Sequence, residues 1–134
     1  MKTKCHKNSH CKYLIKLHFV FAVKYRNNLL VGNLNEDMLQ IMYEISKDKK
    51  YSIDTMQSDV NHIHILVDAH PTTSAYYIAH NLKQVSTFRI YKKHRKFLKT
   101  QFWNENTFWS DGYFVCSTGN ASTETIRKYI EEQG

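Results

Sequence analysis

The chain has 134 residues, enough for one layered domain with one core but not for two. Its 19 Lys and Arg against 12 Asp and Glu leave a formal charge of +7, which suits a polyanionic partner without deciding what that partner is. No stretch is apolar for long enough to span a membrane, and the basic residues 1–12 lack the apolar run of a secretory signal, so no membrane partner and a cytoplasmic location are expected.

Cys5, Cys11 and Cys116 form an odd set, which argues for reduced thiols rather than a disulfide framework. Cys5, His6, His10 and Cys11 could surround a tetrahedral metal, yet their spacing matches no standard zinc pattern, and residues 1–11 read better as a loosely ordered polar tail to a single domain over 1–134. Residues 12–25 alternate: Tyr13, Ile15, Leu17, Phe19, Phe21, Val23 and Tyr25 share one face of a predicted strand, and Lys16, His18, Val20, Ala22 and Lys24 the other. The second face is cationic and small, compatible with a partner lying across it or with plain solvation. Asn33 or Asn35 can cap a first helix, marked by Met38, Ile41, Met42 and Ile45, that ends near Lys47.

Residues 51–57 and 60–69 read as two strands joined at Ser58 and Asp59. Pro71 to Ser74 can stop one element and cap the next, a second helix through Tyr77, Ile78, Leu82, Val85 and Phe88 toward Tyr91. Its other face carries Lys83, Arg89, Lys92 and Lys93, candidates for phosphate contacts if not merely solvated. Phe102, Trp103, Phe108 and Trp109 can stack on bases or fill a core. A strand over 113–118, a flexible joint at Gly119 and Asn120, and a last helix over 123–133 complete the order. Strand, helix, strand, strand, helix, strand, helix is the split β-α-β pattern of an α+β, ferredoxin-like antiparallel sheet with helices on one face, plus a C-terminal helix.

Chemistry concentrates in two places. The period of two along a strand sets His62 and His64 side by side in Asn61-His62-Ile63-His64-Ile65-Leu66, and a spacing of four sets Tyr129 and Gln133 on one helix face. Each piece alone is more often packing than chemistry. Together they offer two imidazoles and an amide oxygen for a divalent ion with open coordination positions, and a phenol able to attack phosphorus. Nitrogen and oxygen ligands without thiolate suit Mg²⁺ or Mn²⁺. A tyrosine attack stores the phosphodiester bond as a phosphotyrosine, so rejoining needs no nucleotide cofactor.

At this point the chain resembles the single-tyrosine HUH transposases of small single-stranded insertion sequences, the IS200/IS605 type. The resemblance rests on Lys24-Tyr25-Arg26, Asn61-His62-Ile63-His64-Ile65-Leu66, Leu82-Lys83-Gln84-Val85-Ser86, Trp109-Ser110-Asp111-Gly112-Tyr113-Phe114-Val115 and Tyr129-Ile130-Glu131-Glu132-Gln133. It implies an RRM-related fold in an obligate homodimer, with His62, His64 and Gln133 as metal ligands and Tyr129 as nucleophile, the tyrosine helix completing the partner's histidine site. It also implies recognition of DNA hairpins near element ends and cleavage of nearby single strands, leaving a 5′-phosphotyrosine and a free 3′-OH. Two positions depart from the family pattern: Asn61 stands where Asp is common, and Gly119-Asn120 where paired glycines form the hinge. Three other readings compete. One is a non-catalytic single-stranded nucleic-acid-binding module, although no aromatic base platform of the RNP kind is evident. A replication initiator or relaxase shares the chemistry but needs a longer chain, and a structural dimer with a degenerate site would make four intact candidate residues superfluous.

Overall fold

Alternation along the strands decides which side of the sheet the helices cover. The computed structural model describes residues 6–7, 12–47, 50–117 and 130–132. Its elements are β1 (His6–Lys7), β2 (Lys12–Tyr13), β3 (Ile15–Ala22), α1 (Gly32–Ser46), β4 (Tyr51–Asp59), β5 (His62–Ala69), α2 (Ala75–Gln101) and β6 (Phe114–Ser117). β1 and β2 form a separate antiparallel pair, while the main sheet runs β4-β5-β3-β6 with every neighbour antiparallel. The first and third strands of this sheet are therefore its centre, as the ferredoxin-like pattern requires.

Phe19 and Phe21 of β3 and Ile63, Ile65 and Val67 of β5 are fully buried and cluster with Leu34, Met38, Ile41, Met42 and Ile45 of α1 and Ile78, Leu82, Ile90 and Leu98 of α2. These side chains recur at period two on the strands and at helical spacing on the helices, so one apolar layer closes between sheet and helices.

Several boundaries differ from expectation, each for a physical reason. β3 stops at Ala22; Lys24–Arg26 is a 3₁₀ turn in which Tyr25 and Arg26 take φ values of 61° and 53°. Tyr25 consequently leaves the apolar face and donates its hydroxyl hydrogen to Glu105 at 2.9 Å. α1 begins at Gly32, whose φ of +57° a glycine reaches without steric cost, and no side chain caps it. Asn35, expected as a possible cap, instead accepts a hydrogen bond from Ser58 at 2.8 Å, tying α1 to β4.

The β4–β5 connection lies at Val60 and Asn61 rather than at Ser58 and Asp59, because Asp59 still pairs with His62. Backbone N–H groups of Leu30 and Val23 donate to the carbonyls of Val60 and Asn61, both at 2.9 Å, and hold this tip in place. Ser74 caps α2 as expected, accepting from the Tyr77 N–H at 3.0 Å. α2 then runs ten residues beyond Tyr91, with a break in helical geometry at His94, whose Nε2 donates to Asp37 of α1 at 2.7 Å. Phe88, expected on the apolar stripe, is 63% exposed; Tyr91 is buried as expected, and Ser86 and Ile90 are buried beside it. Of the four aromatics from 102 to 109, Phe102, Phe108 and Trp109 belong to the core and Trp103 is exposed. Among the described residues no helix is long and apolar enough to cross a membrane. The expected hinge at Gly119 and Asn120, together with Tyr129 and Gln133, lies outside the described residues; residues 130–132 are helical.

Candidate metal centre

The face of the sheet turned away from the helices carries the polar chemistry. On β5 the alternation that sends Ile63, Ile65 and Val67 inward sends His62, His64, Leu66 and Asp68 to this second face. Register then selects their neighbours: His62 pairs with Asp59 of β4 and Ala22 of β3, and His64 with Gln57 and Val20. The two imidazoles stand with ring centroids 5.1 Å apart and planes at 73°. They line a cleft of about 580 Å³ together with His18, Thr55, Gln57 and Asp59.

Each histidine ring is held at Nδ1. Asn61 presents its carboxamide oxygen 2.8 Å from His62 Nδ1, so that nitrogen carries the hydrogen and Nε2 keeps its lone pair. This is the orientation an outer partner imposes on a ligating histidine, here from a neutral amide. His64 Nδ1 lies 3.2 Å from Nε2 of His18, which enters the site from β3. Burial lowers the pKa of His62 against the opposing charge of Asp59, and lowers that of His18. Burial, reinforced by His62 and His18, brings His64 down to about 4. The rings are thus held neutral at physiological pH, the form in which imidazole binds a metal.

Cys116 of β6 is the register partner of His18, and burial raises its pKa, keeping it a thiol. The available donors are imidazole nitrogens and oxygens, with no thiolate, which fits a divalent ion of the Mg²⁺ or Mn²⁺ type when a further oxygen ligand joins them. Among the described residues no three His, Cys, Asp or Glu side chains form a complete metal cluster on their own. The expected further ligand, Gln133, and the expected nucleophile, Tyr129, are outside those residues, as are Cys5, His10 and Cys11 of the tail.

Further along the same face Lys16 is 3.0 Å from Asp54 and 3.5 Å from Asp68. Burial works against its ammonium, and the two carboxylates outweigh burial, so its pKa is raised. The cationic character of this face at Lys16 is therefore neutralised locally.

The basic residues of α2 divide. Lys83 is half-buried and donates to the carbonyls of Ser110, Asp111 and Gly112 at 2.6, 2.9 and 3.0 Å, anchoring the segment that leads into β6. Arg89 faces Glu44 and Lys93 faces Asp37, each at 3.9 Å. Lys92 lies 4.6 Å above the Phe88 ring, and both line a larger groove of about 780 Å³ along α2 that also receives Tyr76, His80 and Arg95. That groove is roomier than the histidine cleft, but His80 is the one imidazole among its described lining residues, so the chemistry is assigned to the smaller cleft.

Sequence reasoning missed His18, Gln57 and Asp59 as members of the site. His18 shares a face with Lys16, Val20 and Ala22 by simple alternation, and that parity was legible. What it lacked was the neighbour relation of β3 to β5 and their register.

Comparison with known proteins places this geometry in a family. The family described as "Transposase IS200 like" matches residues 11–133. The chain is 28% identical over 121 residues to the ISDra2 transposase TnpA of Deinococcus radiodurans, covering 90% of this chain and 85% of that protein. It is 30% identical over 132 residues to the transposase for insertion sequence element IS200 of Salmonella typhimurium, covering 98% and 82%. A crystal structure of a candidate transposase from Deinococcus radiodurans R1 superposes with a TM-score of 0.87 at 23% identity, over 96% of this chain and 97% of that one. A REP-associated tyrosine transposase bound to a REP hairpin superposes with a TM-score of 0.55 at 11% identity, over 93% and 69%. With its four-stranded antiparallel sheet, its histidine pair on the face opposite α1 and α2 and this match over nearly its whole length, the chain belongs to the IS200-like transposase family.

Proposed function

We propose that the chain cleaves and rejoins single-stranded DNA by tyrosine transesterification, at a site built on His62 and His64 and completed by Tyr129 and Gln133. The observation that carries this reading is the pair of neutral, Nδ1-anchored imidazoles lining one cleft. His62, His64 and Gln133 would hold a divalent ion, which when bound would supply positive charge beside the scissile phosphate. The Tyr129 oxygen forms a bond to phosphorus while the bond from phosphorus to the 3′ oxygen breaks. The departing 3′ oxygen leaves as a hydroxyl, taking up the proton that the phenol gives up, and the 5′ phosphate stays on the tyrosine. Attack on this ester by a 3′-OH from another strand end reverses the sequence and rejoins DNA, with no nucleotide consumed.

The working unit is a homodimer, with the tyrosine helix turning about Gly119 and Asn120 to complete the partner's histidine site. DNA hairpins at element ends are the recognition feature; the REP hairpin bound by one structural relative supports this. Of the basic residues on α2, Lys92 beside Phe88 is the best placed to meet such a ligand, since Lys83 is engaged with backbone carbonyls.

The test mixes the protein with labelled single-stranded DNA from the flanks of its own gene, in Mg²⁺, Mn²⁺ or EDTA, and looks for a denaturant-resistant adduct. Wild type forms the adduct with metal only. Tyr129→Phe forms none and binds the hairpin within about threefold of wild type, because one oxygen and no phosphate contact is removed. Hairpin binding without any adduct in wild type would instead identify a binding module.

A further inference from the structure

A strand His-x-His pair can serve one ion only if each ring turns an unprotonated nitrogen toward it. Alternation supplies the common face but not the rotation of each ring about its Cβ–Cγ bond, nor the tautomer. The rings of His62 and His64 are inclined at 73°, so each needs its own anchor. For His62 the anchor is the neighbouring Asn61 carboxamide. For His64 it comes from a different strand.

His18 pairs in register with Leu66, and His64 with Val20, so the His18–His64 contact runs diagonally across β3 and β5. Such diagonals lie within reach of ring side chains. Val20, the residue directly opposite His64, is short, leaving the His18 ring to approach with a centroid separation of 5.3 Å and a tilt of 35°. His18 Nε2 then lies 3.2 Å from His64 Nδ1. One hydrogen is shared by these two nitrogens. If His18 donates it, His64 carries its own hydrogen on Nε2 and cannot bind an ion there. If His18 accepts, His64 is the Nδ1–H tautomer and its Nε2 lone pair is open.

We infer that His18 is a positioning residue for this centre: by accepting a hydrogen bond from His64 Nδ1–H, it fixes the tautomer and ring plane in which His64 offers Nε2 to a divalent ion. The inference rests on the proposed metal-binding role of His64. A ligand pair anchored in this way, at the same atom of both rings, needs no reorientation when the ion arrives, and outer partners of this kind typically govern affinity.

The experiment measures Mn²⁺ binding to the DNA-free protein by calorimetry or electron paramagnetic resonance, in wild type, His18→Phe, His18→Gln and His64→Ala. His18→Phe keeps a ring against His64 and removes the acceptor; His18→Gln restores an acceptor oxygen. Expected is a loss of about 10- to 100-fold in Mn²⁺ affinity for His18→Phe, partial recovery in His18→Gln, and thermal melts close to wild type in both. In metal-free wild type, two-bond ¹H–¹⁵N spectra are expected to show His64 as the Nδ1–H tautomer, a readout that needs no variant to fold. Wild-type affinity in a folded His18→Phe, equal losses in the Phe and Gln variants, or an Nε2–H tautomer in the wild type each overturn the inference. If His64→Ala binds Mn²⁺ as wild type does, the metal-site reading fails and takes this inference with it. If His64→Ala loses the ion while His18→Phe keeps it, only the role of His18 falls.

Discussion

The two faces of the central strands are built from alternate residues of the same segments yet obey different rules. On the helix-covered face Phe19, Phe21, Ile63, Ile65 and Val67 are fully buried, and their contribution is area removed from water. On the opposite face His18, His62 and His64 are partly buried and linked by specific polar contacts, while Lys16, Asp54 and Asp68 neutralise one another. The first face tolerates imprecision in any one contact because many share the load. The second depends on individual atoms, such as Asn61 Oδ1 and His18 Nε2. The central strands thus separate folding from chemistry by one residue of phase.

That separation can be broken most strongly from the apolar side. Phe19→Ala empties a fully buried position and should cost about 3–5 kcal/mol, read as a lowered denaturation midpoint with the histidine pair chemically intact. A midpoint unchanged from wild type would mean that the core does not rest on this strand. From the polar side, His64→Ala should abolish metal-dependent cleavage while shifting stability by no more than about 1 kcal/mol. Full cleavage in that variant would put the ion elsewhere.

Lys83→Met tests a cation that belongs to neither face. It removes hydrogen bonds to the carbonyls of Ser110, Asp111 and Gly112 and should destabilise by about 1–3 kcal/mol in a melt, with little change in the salt dependence of DNA binding. A large drop in salt dependence without loss of stability would make Lys83 a phosphate contact after all.

A fourth test uses pH. His64 has a folded-state pKa of about 4 against 6.5 for the free side chain, chiefly through burial. Between those values the unfolded chain binds more protons, so the stability this residue contributes above 6.5 is lost as the pH falls toward 4. In EDTA, wild type should therefore lose more melting temperature than His64→Gln over this window. Parallel curves would show that the ring is not desolvated.

The order of strands and helices was legible because periods of two and 3.6 alternate cleanly and the chain has only four Gly and one Pro to interrupt them. The prominence of His62 and His64 followed from the same period. Less was legible at boundaries: Tyr25 continues the alternation in sequence but leaves the strand at φ 61°, and Ser58 and Asp59 resemble a turn but remain paired to β5. Phe88 fits a helical stripe, yet helix-on-sheet packing turns it outward and buries Ser86, whose hydroxyl accepts from the Trp109 indole at 3.0 Å.

By itself, then, the sequence determined the phase of the central strands: which residues share a face, and therefore that two imidazoles stand together on the side opposite the apolar layer. Only the tertiary structure decided who meets them. Strand order and register are set by how β3, β4 and β5 pack as a layer under α1 and α2, and side-chain contacts between residues 46 apart, such as His18 and His64, leave no trace in local periodicity.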